Sequence, residues 1–345
     1  MPFHRASRLY APPSDIPLPS GRVIAMFRIL EEKVVRGRRV TREEALTIAS
    51  VSGGDVFDLF SAANRIRKRF RAEYVDICSI INAKSGACPE NCVYCAQSSV
   101  SSAVIRSFPL MEKAAVLEKA GEAKAGGAKR FCIVTSGRKV SAGDLSAIAG
   151  MVSGVRALGL LPCATLGLLS REEVLLLKEA GLERFHHNLE TSEGYFSNIC
   201  TTHTYVDKMN TIEAVLSAGL SLCSGGIFGL GEGWEDRVDM ALALREIGPD
   251  SVPINFLMPI SGTRLGTQSL LDPLEALKII SLYRFILPDK EIRVCGGRMQ
   301  TLGEFHAFIF FAGADGLLSG DYLTTLGRRF EDDLRLISGY GLRYR

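Results

Sequence analysis

From residue 75 onward, short apolar runs alternate with stretches whose apolar residues recur at helical spacing, and few folds accept that alternation. The runs at 75–81, 130–135, 161–166, 184–189, 221–225, 251–257, 292–295 and 316–318 read as buried strands. Between them, 114–125, 145–158, 171–180, 205–218, 234–247 and 273–287 read as helices. Eight strands, most followed by a helix, give an α/β chain of (β/α)8 TIM-type architecture, with a doubly wound open sheet as the competitor. Upstream, 21–74 reads as helical, with Thr41-Arg42-Glu43-Glu44 as a capped start and Gly53-Gly54 as a break. The expected division is an N-terminal helical extension at 1–74 covering one end of the main domain, a barrel at 75–330 and a C-terminal tail at 331–345.

At 345 residues and 47% hydrophobic content the chain can fill a core of this size. No stretch approaches the roughly eighteen apolar residues that span a bilayer, and residues 1–20 lack the apolar centre of a secretory signal. A net charge of +3 without a polybasic tract predicts neither a nucleic-acid nor a membrane partner. The densest basic run, at 65–70, reads as a solvated helix face. Nine cysteines without an export signal point to metal or catalysis in a reducing cytoplasm rather than to disulfides.

Cysteine placement says more than the count. Residues 84–99, directly after the first strand, read Lys-Ser-Gly-Ala-Cys-Pro-Glu-Asn-Cys-Val-Tyr-Cys-Ala-Gln-Ser-Ser, with Cys88, Cys92 and Cys95 in C-x3-C-x2-C spacing. One loop of this length can wrap a metal centre, and its thiolates select zinc, copper(I) or an iron–sulfur cluster. A structural zinc site needs a fourth ligand. Three thiolates on a four-iron cluster instead leave one iron open to a cofactor.

Such a loop, with an aromatic before its last cysteine, resembles that of the radical S-adenosylmethionine (SAM) enzymes, and the longer string resembles the biotin synthases. The resemblance runs from about Ser79 to Thr325. It implies a 4Fe-4S cluster on Cys88, Cys92 and Cys95, with SAM on its open iron. It also implies a second, 2Fe-2S cluster inside the barrel on Cys132, Cys163, Cys223 and Arg293, which lie in candidate strands two, three, five and seven. Cys295 stands where relatives carry serine; sharing a face with Arg293, it either replaces that arginine as ligand and holds a larger cluster, or is a passive, serine-like occupant. Without the three-cysteine loop, three strand cysteines would read as small core residues.

The resemblance further implies SAM contacts from Tyr94, Asn188, Glu190, Gly226 and Ile227, and substrate contacts from Asn188 and Asn255. Asn188 and Glu190 are two apart on a strand, so both should face the lumen, where an amide and a carboxylate suit polar ligands. Aspartate is usual in relatives at Glu190, and asparagine at His186. The glycines of 225–232 are expected to let backbone approach adenine. His186 and His187 should face opposite ways; His4, His203, His306, Cys78 and Cys200 read as ordinary residues without partners in the pattern.

The implied activity is sulfur insertion into dethiobiotin to give biotin, with SAM cleaved reductively and the inner cluster giving up sulfur. The implied partners are a flavodoxin or ferredoxin as reductant and a second copy in a homodimer. The alternatives are a hydrogenase-maturase-like or methylornithine-synthase-like radical SAM enzyme, which would not need Cys132, Cys163 and Cys223 together, or an iron–sulfur redox protein that leaves SAM intact.

Overall fold

The structure is a computed structural model describing residues 21–323 and 327–344. Expectations touching residues 1–20 and Thr325 lie outside that range. The chain begins with helices α1 (Gly21–Val35), α2 (Arg42–Ser50) and α3 (Val56–Arg71). Then follow β1 (Tyr74–Lys84), α4 (Lys113–Ala125), β2 (Arg130–Thr135), α5 (Ala142–Ala157), β3 (Leu161–Thr165), α6 (Arg171–Glu179) and β4 (Arg184–His186). After a short α7 (Phe196–Ile199) come α8 (Tyr205–Ser217), β5 (Ser221–Cys223), β6 (Gly226–Phe228), α9 (Trp234–Ile247), β7 (Ser251–Phe256) and α10 (Pro273–Ile286). The chain ends with β8 (Glu291–Val294), α11 (Arg298–Leu302), β9 (Gly316–Leu318), α12 (Phe330–Gly339) and β10 (Arg343–Tyr344).

All strand pairs are parallel, and β1 pairs with both β2 and β9, which closes the sheet into a barrel of eight staves and rules out the open sheet. The fifth stave is β5 and β6 together, broken at Ser224-Gly225. Opposite the break stands Pro253 of β7, which has no N–H to give the ladder, and a Cβ on Gly225 would collide with its carbonyl. Side chains alternate as strand geometry requires: Ile77, Phe131, Ile133, Ala164, Phe185 and Leu222 are buried under the helices. Their neighbours Cys78, Cys132, Cys163 and Cys223 point into the lumen. Reciprocal capping boxes start α2 at Thr41, α6 at Ser170 and α8 at Thr204, and Asp272 caps α10 ahead of Pro273.

Helices α1–α3 do not sit on one end of the barrel as expected. They pack on its outer layer: Arg42 bonds Asp239 of α9 at 2.7 Å, and Lys278 of α10 donates to the Ala49 and Val51 carbonyls at 2.7 and 3.0 Å. The basic run is not wholly solvated either. Arg65 pairs with Glu31, but Arg67 lies on the inner face of α3 and is 1% exposed, its guanidinium donating to Ala72 O and Asn64 Oδ1. The C-terminal segment is docked: α12 brings Asp333 onto Arg298 at 2.9 Å, both fully buried, and β10 pairs with the start of β1. Among the described residues no helix is long and apolar enough to cross a membrane.

His187, on the outer face of its strand as expected, is buried beside Phe185, and burial pushes its imidazole well below the usual 6.5. A histidine neutral in the fold must take up a proton on unfolding once the pH drops under 6.5, so stability falls with pH there. His187→Leu should therefore lose less stability than the parent on acidification, by about 1.4 kcal/mol per pH unit. Parallel denaturant titrations at pH 7.5 and 5 check this.

Candidate active site

The three-cysteine loop leaves the C-terminal end of β1 through Gly86 and Ala87, both in the left-handed region at φ +78° and +51°. Its intervening Pro-Glu-Asn is a staple. Asn91 Oδ1 accepts from the Thr201 and Thr202 backbone N–H at 2.9 and 3.3 Å. Thr202 Oγ1 donates to the buried Glu90 at 2.5 Å, and Glu90 also bonds His203 Nδ1. Cys200 Sγ lies 3.8 Å from Cys92 Sγ and 3.2 Å from His203 Nδ1. Cys200 and His203, read from sequence as partnerless, thus back the loop directly. Their own three-residue spacing is the one local sign, and it says little without Cys92 and Glu90, which lie more than a hundred residues away.

Cys88, Cys92 and Cys95 line a cavity of about 210 Å³ at the barrel mouth together with Asn188, Glu190 and Lys208. Beneath it a chamber of about 370 Å³ runs into the lumen. Tyr94, His186, Asn188 and Glu190 line both spaces, so the two thiol sets face one continuous site. Asn188 gives an N–H to Glu190 Oε2 at 3.2 Å and accepts from Gly225 N at 3.1 Å, while Lys208 Nζ stands 3.8 Å from Glu190 Oε1. Glu190 sits at φ +73°, a conformation that costs a non-glycine residue about 1 kcal/mol or more and is held here by Ile227 N donating to its carbonyl at 2.9 Å. Asn255 bridges Gly226 O at 3.1 Å and Gly296 N at 3.0 Å, leaving one amide hydrogen and one lone pair for a ligand. The approach that Gly226 serves in the fold is to Glu190 O, 2.6 Å from where a Cβ would stand.

Cys132, Cys163, Cys223, Arg293 and Cys295 all line the chamber, as the alternation predicts. Cys132 and Cys163 are register partners on β2 and β3. Cys78 joins them, a fifth lumen thiol read from sequence as ordinary. The signal was there: it shares a face with Ile80, the register partner of Cys132. Burial pushes these thiols up, Cys295 to about 12, while the Arg293 guanidinium pulls the other way. Arg293 is engaged from below: it pairs with Asp76 and Glu291 and donates to Leu317 O at 2.9 Å. His186 faces the chamber with Nδ1 3.4 Å from Cys223 Sγ, and burial lowers its pKa to about 4, so it is a neutral imidazole.

Comparison with known proteins matches residues 83–244 to the radical SAM superfamily and residues 253–343 to the biotin and thiamin synthesis associated domain. A biotin synthase of Thermodesulfovibrio yellowstonii is 49% identical over 295 residues, 86% of this chain and 93% of that protein. One of Geobacter metallireducens is 46% identical over 310 residues, covering 89% and 94%. The chain belongs to the biotin synthase family. Among solved structures, methylornithine synthase superposes with a TM-score of 0.81 at 19% identity, covering 92% of this chain and 97% of that one. The hydrogenase maturase HydG gives 0.79 at 16%, covering 93% and 76%. At those identities they establish the fold alone, and the sequence relatives favour the biotin synthase family over either alternative radical SAM activity. The radical SAM match implies a 4Fe-4S cluster and SAM. The donors fit that implication: soft thiols at the mouth, with amide, carboxylate and ammonium groups beside them.

Proposed function

We propose that the chain inserts sulfur into dethiobiotin to form biotin, consuming SAM, with the sulfur drawn from an auxiliary iron–sulfur cluster in the lumen. The observation that carries this reading is one chamber with three thiols at its mouth, five more on its inner walls, and amides and a carboxylate between them. A redox carrier has no use for that polar middle. When bound, the reduced cluster and SAM supply a carbon-centred radical able to take hydrogen from an unactivated carbon, which no side-chain acid or base can do.

The chain's own work is placement. Cys88, Cys92 and Cys95 hold the mouth cluster on a loop stapled through Glu90 and Asn91. Glu190, fixed by Asn188 and Lys208, accepts from SAM's ribose hydroxyls, and Tyr94, Gly226 and Ile227 close around the rest. Asn188 and Asn255 direct the ureido ring with their unspent donor and acceptor. The apolar walls, Ile80, Val134, Phe256, Leu257 and Leu318, keep water from the reacting carbon. A flavodoxin or ferredoxin supplies electrons, and the protein works as a cytoplasmic homodimer. Anaerobic incubation with SAM, reductant and dethiobiotin should yield 5′-deoxyadenosine and biotin by mass analysis. SAM left intact would return the chain to the redox-protein reading.

For the fourth lumen ligand the geometry supports Cys295 over Arg293. The arginine's terminal nitrogens are spent on Asp76, Glu291 and Leu317, and those carboxylates hold it protonated. Cys295→Ser should lower iron and sulfide bound per chain and alter the cluster's spectrum. Unchanged counts would give the position back to Arg293.

A further inference from the structure

The N-terminal end of the barrel, opposite the thiol loop, holds a second cavity of about 480 Å³ among the described residues. Its wall is polar, formed by side chains such as Lys129, Lys290, Asp76 and Glu291 where the strands begin. Arg130 and Arg184 line this cavity and also the thiol chamber, so the floor of one space is the roof of the other. Neither guanidinium is fully used. Arg130 reaches Asp76 only at 3.4 Å and Arg184 reaches Glu291 only at 3.6 Å. Arg130 Nε and Nη1 and Arg184 Nη1 are buried with no hydrogen-bond acceptor, although Arg184 is 6% exposed. A buried cationic N–H without an acceptor is costly, and such a group calls for an anion.

The anion must be small enough to pass between two arginines and must be of use to the thiols above them. An entry from below would also leave the mouth to SAM and substrate. We propose that this lower cavity is a port that binds hydrosulfide and passes it to the lumen thiols and their iron, replacing sulfur given up in turnover. The inference rests on the sulfur-donor reading. Hydrosulfide already carries sulfur at the oxidation level of a cluster sulfide, so delivery moves no electrons; each sulfide loses one proton on binding iron. The guanidiniums of Arg130 and Arg184 favour the anion over neutral hydrogen sulfide, and Lys129 and Lys290 at the rim raise its local concentration.

The test takes the full chain with its mouth cluster intact and its lumen cluster lost through turnover. Ferric iron and sodium sulfide are added anaerobically without a low-potential reductant, so the iron needs no oxidant to enter the cluster. Rebuilding is followed by absorbance and by iron and sulfide counts. Saturating SAM and dethiobiotin should leave the rebuilding rate unchanged; a large slowing would show that sulfide enters from the mouth and would overturn the port. Lys129→Glu/Lys290→Glu should rebuild about tenfold more slowly, with its thermal midpoint and mouth cluster unaltered, and an unchanged rate would equally overturn it. If the parent chain never carries a lumen cluster, the sulfur-donor reading itself fails and the port falls with it, an outcome distinct from rebuilding through the mouth.

Discussion

Cys163→Ala should abolish biotin formation and lower bound iron and sulfide, while SAM should still be cleaved to 5′-deoxyadenosine under reducing conditions. The split follows from the two-level site. The mouth thiols sit on a loop held by Glu90, Asn91 and the 199–203 segment. Cys163 sits on the chamber wall in register with Cys132. Truncating one small buried side chain costs about 1 kcal/mol of stability, too little to unfold a barrel of this size, so lost product reports on sulfur supply. Mass analysis of both products, with metal counts on the same sample, makes the measurement. Biotin formed at the parental rate would remove the lumen cluster from the mechanism.

Asp333→Ala should lower stability by about 3–5 kcal/mol, because it strands the fully buried Arg298 guanidinium. Arg298 Nη1 and Nη2 take both Asp333 oxygens at 3.0 and 2.9 Å, and this pair fastens α12 to the barrel. The thermal midpoint should drop by on the order of 5–10 °C. Adding Arg298→Met should recover most of the loss, since a buried apolar pair of similar volume is often no worse than the ion pair. A double variant as unstable as the single one would show that the segment is held by its apolar contacts instead.

The strands were legible because a strand buried on both faces is an uninterrupted apolar run. The observed bounds of β2 (Arg130–Thr135) and β9 (Gly316–Leu318) are those read from the sequence. The break in the fifth stave was not legible, since its cause, a missing N–H at Pro253, lies in a different strand. Helices α1–α3 could be recognised but not placed: Lys278 and Asp239, which fix where they dock, look from sequence like surface charges. In the site, close spacing revealed Cys88, Cys92 and Cys95; the resemblance singled out the lumen cysteines, whose common face follows from period-two alternation, and the same alternation places Cys78 among them. The contacts of Cys200 and His203 with Cys92 and Glu90, and the pairing of Arg293 with Asp76, needed three dimensions, because these partners are brought together only by folding.

That closure, β1 meeting β9, has a bearing on how the protein is born. Cys88, Cys92 and Cys95 leave the ribosome within eight residues of one another and can gather iron while most of the chain is still unmade. The wall thiols, Cys78 to Cys295, share a chamber only after Gly316–Leu318 has been synthesised and docked. An inner centre of the kind proposed would therefore be assembled last, in an already finished shell.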